Sequence, residues 1–314
     1  MTFEEGARKI FRVCMNVGAE ETLLIVTDTE KRGIGERLFA VAESLDLRPV
    51  LQVMQPTGRH GSEPLPVVAA AMRAADVAVC PTTYSLTHTR ARREACEHGS
   101  RIATMPDVEE GMFLEGALAA DYTEIARASD ELAERLTRAN LVVIRYRGAE
   151  LSFSIAGRKA ISSRGLYHSP GSSGNLPTGE AYIAPLEGSA EGSIVFDGSA
   201  AGIGPLAGPL NVRFKEGVAV EFNGPDAERL RATLGESAAA RNLAELGIGT
   251  NPNARLSGSL LEDEKVYGTV HLAFGSNKTF GGEVDAGVHI DCVMVRPELL
   301  LDGETVVRDG KLLV

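Results

Sequence analysis

Short apolar runs of strand length alternate with longer amphipathic stretches through the first half of the chain. ETLLIVTD (21–28), RPVLQVMQ (48–55), DVAVCPT (76–82) and RIATMPD (101–107) are apolar, largely β-branched and bounded by polar or turn-forming residues. They predict buried strands. Between and after them, EKRGIGERLFAVAESLDL (30–47), PLPVVAAAMRAA (64–75), HTRARREACEHG (88–99) and TEIARASDELAERLTRA (123–139) predict helices, the second opened by prolines and the third closed by Gly99. Strands alternating with helices specify a parallel sheet covered on both faces, an α/β domain.

The pattern changes near residue 140. LVVIRYRGAELSFSIAGRKA (141–160) alternates β-branched and polar residues around Arg147-Gly148 and predicts a hairpin. Beyond it glycine is abundant and helical periodicity rare, apart from DAERLRATLGESAAARNLAEL (226–246), which reads as one long helix ending near Glu245. HSPGSSGNLPTGE (168–180) reads as a loop running into a strand, the kind of segment that lines sites on rigid scaffolds. The expectation is an α/β domain over 1–140 and a β-rich α+β domain over 141–314 that carries the chemistry.

Composition removes several function classes. The net charge is −11, tryptophan is absent and aromatics make up 5%, with no Lys/Arg stripe, so nucleic acid is not an expected partner. Cys14, Cys80, Cys96 and Cys292 show no close pairing and read as reduced thiols of a cytoplasmic protein. Residues 1–20 lack the apolar stretch of a secretory signal, and no apolar run nears the roughly 20 residues that span a bilayer, so no membrane role is expected. Gly33-Ile-Gly35 follows the first strand but lacks the third glycine of GxGxxG and is preceded by charged residues, which argues against dinucleotide binding.

Metal-type side chains crowd the last quarter of the chain: Glu245, His271, His289 and Asp291. In a strand, His289 and Asp291 point to one face and can reach one ion together. Imidazole plus carboxylate suits zinc, iron, cobalt or manganese, and the flanking glycines let backbone approach closely. His88 stands apart, after the third strand, at the carboxyl end where α/β sheets place ligand-contacting groups. Ser85, Thr87 and Thr89 beside it offer a helix N-cap, and His88 is a candidate acid/base or substrate contact.

NLPTGEAYIAP (175–185), NLAELGIGTNP (242–252), GTVHLAFG (268–275) and HID (289–291), in that order, resemble the aminopeptidase T family of metallo-aminopeptidases, and TTYSLTHTRARREACEHGSRIATMP (82–106) extends the likeness. The resemblance implies a pair of divalent ions (zinc, cobalt or manganese) held by Glu180, Glu245, His271, His289 and Asp291. It further implies a small peptide or amide substrate attacked by metal-bound hydroxide, Glu180 or Glu245 moving the proton, and a homodimer. GSNKTFGG (275–282) departs from that family, with Lys278 near the place of a tyrosine. The same superfamily resembles 2,5-dihydroxypyridine dioxygenase, a ring-cleaving enzyme with one Fe(II), through SAEGSIVFD (189–197), the His-x-Asp step and a histidine near SLTHT. Glu245 stands where that dioxygenase has a histidine, and His271 where it has none, so the ligand pattern leans toward the dinuclear hydrolases.

Overall fold

A computed structural model describes residues 1–313 of the chain. The chain divides into two compact units, Met1–Tyr122 with Gly165–Thr178, and Thr123–Arg164 with the chain from Gly179 onward. The division thus differs from a single break at 140. The helix Tyr122–Arg138 belongs almost wholly to the second unit, and the Gly/Ser/Pro segment returns to the first.

The first unit is built on a five-stranded sheet in the order Arg48–Met54, Thr22–Asp28, Val77–Thr82, Arg101–Pro106, Ser173–Asn175. All pairings are parallel. Four of these strands lie on the four apolar runs. The fifth has no apolar signature and forms because Ile102, Ala103 and Thr104 offer a ladder to Ser173, Gly174 and Asn175. Its polar side chains then hydrogen-bond along the sheet end: Asn175 Oδ1 accepts from Thr104 Oγ1 at 2.7 Å and from Thr87 Oγ1 at 2.9 Å. Gly35 is a packing residue, since a Cβ there would lie 2.7 Å from Thr27 Cγ2 in the first strand.

In the second unit two antiparallel sheets share one core. The larger has eight strands, and the Leu141–Tyr146/Ala149–Ser154 hairpin within it turns at Arg147-Gly148 with φ of 50° and 82°. The smaller runs in the order Gly204–Pro205, Ser199–Ala200, His289–Met294, Val270–Gly275, Leu243–Gly249, Glu180–Ile183, Ile161–Ser163. Ala181, Ile183, Leu246, Ile248, Val270, Leu272, Phe274, Cys292 and Met294 of this sheet pack into the core against Val142, Ile144, Phe153, Ile194, Phe196, Val212 and Phe214 of the larger one. An α/β unit followed by a β-rich one is the architecture the pattern predicts.

One element differs. The long helix expected over 226–246 stops at Leu234, where Gly235 takes φ of 70°. Residues Leu243–Gly249 are a fully buried strand, so Glu245 sits mid-sheet and not at a helix end. A continuous apolar run carries no period, and here the sheet claimed it. Among the described residues, no helix is long and apolar enough to cross a membrane.

Candidate metal centre

The face of the seven-stranded sheet opposite the core carries the chemistry, and strand alternation puts it there. With Leu246, Ile248, Val270, Leu272, Phe274, Cys292 and Met294 turned into the core, their neighbours Glu245, Gly247, His271, Ala273, His289 and Asp291 face the other way. Glu180 and Tyr182 do the same beside the inward Ala181 and Ile183. Cross-strand register interleaves large and small residues: His271 pairs with Gly247, Asp291 with Ala273, His289 with Gly275, and Glu180 with Gly249. The small residues leave room for the functional ones. A Cβ on Gly247 would lie 1.9 Å from His271 Nε2, so only glycine accommodates that ring.

The polar groups form a chain of alternating charge. Lys265 Nζ donates to Glu180 Oε1 at 2.6 Å and also to Glu264. Glu180 Oε2 lies 3.4 Å from His271 Nε2, which lies 3.5 Å from Glu245 Oε1. Glu245 Oε2 is 3.4 Å from His289 Nε2, which is 3.5 Å from Asp291 Oδ1. One ligand atom each from Glu245, His271 and Asp291 falls within 4.8 Å of the others, a spacing that one metal ion can span. Depth is graded along the chain: the His271 side chain is 1% exposed and that of His289 32%, so the His289 end is the open one.

Two further features fit a metal. Glu180 Oε2 is buried without a hydrogen-bond partner and is turned toward the cluster. His289 places Nδ1 2.8 Å from Ser276 O, which makes Nδ1 the N–H donor and leaves Nε2 free to ligate, the outer support typical of metal-binding histidines.

The imidazoles and carboxylates of the cluster shift one another's protonation. Burial opposes charge on His271, yet Glu245 and Glu180 outweigh it and lift the imidazole to about 9. Burial likewise opposes charge on His289, but Asp291 and Glu245 hold it well above the usual histidine value. Asp291, against its own burial, is drawn down to about 2 by His289 and His271. Metal ligation needs neutral imidazoles, so binding must expel these protons. The apparent metal affinity should rise about tenfold per displaced proton per pH unit until pH passes about 9. Calorimetry in two buffers of different ionisation enthalpy counts the protons, and an affinity flat between about pH 6 and 8 would refute the assignment. The contribution of His271 to the stability of the metal-free fold is expected to have the opposite slope. With His271 raised from 6.5 to about 9, its stabilisation is full below about 6.5 and is lost as pH rises through about 9.

Glu180, Glu245, His271, His289 and Asp291 are thus brought together on one sheet face of the second unit. His88 lies in the first unit, exposed, its carbonyl accepting from Arg93 Nη1 at 3.1 Å, while Thr89 caps the helix Arg90–Glu97. Lys278 is exposed on a short turn and faces Asp285. Sequence reasoning missed Lys265 and Glu264, in the polar triplet of DEKVYGTVH, and the aromatic pair Tyr182 and Phe280. Phe280 lies edge-on to both Tyr182 and His289, with centroids 5.6 and 5.7 Å apart, and so stands at the open end. Burial, then Glu245 and Glu180, push the Tyr182 phenol above its usual range and keep it a donor.

With this geometry in place, comparison with known proteins decides the family. The family NicX, 2,5-dihydroxypyridine 5,6-dioxygenase, matches residues 3–314. The chain belongs to that family. A 2,5-dihydroxypyridine 5,6-dioxygenase of Pseudomonas putida is 23% identical over 260 residues, covering 76% of this chain and 71% of the relative. The solved 2,5-dihydroxypyridine dioxygenase of Pseudomonas putida superposes with a TM-score of 0.84 at 17% identity, over 99% of this chain and 97% of that one. Wild-type AmpT from Thermus thermophilus superposes with a TM-score of 0.72 at 19% identity, over 99% of both chains.

The aminopeptidase expectation is corrected accordingly. This NicX-family chain shares a fold with AmpT, and fold alone does not carry peptide hydrolysis. The metallo-aminopeptidase assignment came from motifs that build the sheet face, and that fold is shared by AmpT and the 2,5-dihydroxypyridine dioxygenase of Pseudomonas putida. The absence of the tyrosine near Lys278 was the sequence signal against it.

Proposed function

We propose that the chain is a ring-opening dioxygenase that uses one ferrous ion and acts on a hydroxylated pyridine, with 2,5-dihydroxypyridine the first substrate to test. The family match over residues 3–314 carries this reading. The ligands would come from Glu245, His271, His289 and Asp291, a set that contains the two imidazoles and one carboxylate common to oxygen-using iron sites. Bound there, ferrous iron would supply the one-electron chemistry that dioxygen needs to react with an electron-rich ring.

The protein's own contributions follow from placement. The His289 end is open, so substrate enters there. Phe280 and Tyr182 offer aromatic edges beside it, against which a planar ring packs. Ser276 fixes the His289 ring through Nδ1. Glu180, buried at the deep end, sets Oε2 3.4 Å from His271 Nε2 and so orients that imidazole. The strands behind these groups are fully buried, which holds the constellation rigid.

The test uses metal-free protein reconstituted anaerobically with Fe(II), followed by the ultraviolet absorbance of 2,5-dihydroxypyridine with and without air. Loss of the ring chromophore only when iron and air are both present supports the reading. Equal turnover with zinc, or without oxygen, would refute it.

A further inference from the structure

The buried lysine beside the cluster is the feature that neither family membership nor the ligand set explains. Lys265 is 2% exposed and its ammonium is shared by Glu180 and Glu264. Its backbone is pinned as firmly as its side chain. Lys265 N donates to Glu262 O at 2.9 Å, its carbonyl accepts from Asn251 N at 2.9 Å, and a Cβ on Gly249 would come within 2.8 Å of its carbonyl carbon. The preceding turn is tied by Asp263, which accepts from Ser257 N at 2.7 Å and Gly258 N at 3.1 Å. A lysine so placed cannot swing out to water.

We infer that Lys265 serves as the built-in second cation of this centre, limiting the cluster to one divalent ion. The inference rests on the single-iron reading above. The carboxylates of Glu180, Glu245, Glu264 and Asp291 lie along one connected chain of contacts, enough negative charge to hold two divalent ions. The ammonium occupies Glu180 Oε1 and Glu264, the oxygens a second ion would need, and leaves Glu180 Oε2 facing His271. One divalent ion then meets only His271, Glu245, His289 and Asp291. Removing the ammonium while keeping both carboxylates therefore opens a second site.

The test is a metal count. Wild type, Lys265→Gln and Lys265→Arg are stripped with chelator and titrated anaerobically with Fe(II), and separately with Mn(II), by calorimetry, with bound metal confirmed by elemental analysis. Wild type and Lys265→Arg are expected to hold one equivalent and Lys265→Gln two. A folded Lys265→Gln that holds one equivalent overturns the inference and leaves the single-iron reading intact. Two equivalents in wild type overturn both, and none in wild type overturns the single-iron reading on which it rests. If metal-free Lys265→Gln does not fold, it is refolded with excess Mn(II). Recovery with two equivalents supports the inference, because the second ion then replaces the ammonium, and failure to recover overturns it.

Discussion

Asp291→Ala protein is expected to lose its metal and with it the proposed oxygen-dependent turnover. Asp291 is one of the three groups whose ligand atoms fall within 4.8 Å of one another, and it also orients His289, whose Nε2 is 3.5 Å from Oδ1. Losing an outer support of a metal site costs roughly 10–100-fold in affinity, so losing a ligand that is also a support should exceed about 100-fold. Equilibrium dialysis against Fe(II) or Mn(II) measures it. The side chain is 14% exposed and faces away from the core, so the fold should survive, with an unchanged circular dichroism spectrum. A full metal complement in Asp291→Ala would remove this residue from the ligand set. In the metal-free protein the same change should lower the His289 pKa, since Asp291 is the first charge that holds it up against burial.

Gly247→Ala has the second-largest effect, although it touches no ligand chemically. Its Cβ would sit 1.9 Å from His271 Nε2, and 2.2 Å from Cε1 of the same ring. Gly247 is mid-strand and paired on both sides, to His271 and to Tyr182, so the backbone cannot yield. The ring must turn, and a turned ring no longer faces Glu245. The variant is expected to lose about 1–3 kcal/mol of stability from overpacking and, separately, at least about tenfold in metal affinity. Thermal unfolding in the presence and absence of Mn(II) separates the two terms. Wild-type affinity in a stably folded Gly247→Ala would show that His271 is no ligand.

Much of this was legible in the chain, for reasons that can be assigned residue by residue. The strands Thr22–Asp28, Val77–Thr82 and Arg101–Pro106 declare themselves because a parallel sheet covered on both faces demands uninterrupted apolar runs. The strand Ser173–Asn175 does not, because its place is created by the neighbouring strand and by side-chain bonds from Thr87 and Thr104. Period-two placement sufficed to put His289 and Asp291 on one face. Glu245 is harder: its run of buried neighbours has no period, and the sequence pattern carries the preceding helix past Gly235, where the structure ends it. Lys265 was not legible at all, since a lysine that follows Asp263 and Glu264 in a charged triplet reads as surface. Only the fold reveals that it is buried against Glu180, 85 positions earlier in the chain. The chemistry itself was misjudged because Glu180, Glu245, His271, His289 and Asp291 describe a face and its donors. They do not state how many ions it holds or which bond is broken.

In the proposed reaction dioxygen is a substrate and both its atoms enter the ring-opened product. Its most direct test is turnover of 2,5-dihydroxypyridine by the Fe(II)-loaded protein under isotopically labelled dioxygen, with mass spectrometry of the ring-opened product. Two labelled oxygen atoms per product molecule and one dioxygen consumed per ring are expected. Product that carries oxygen from water alone, or that forms at the same rate under argon, would contradict it.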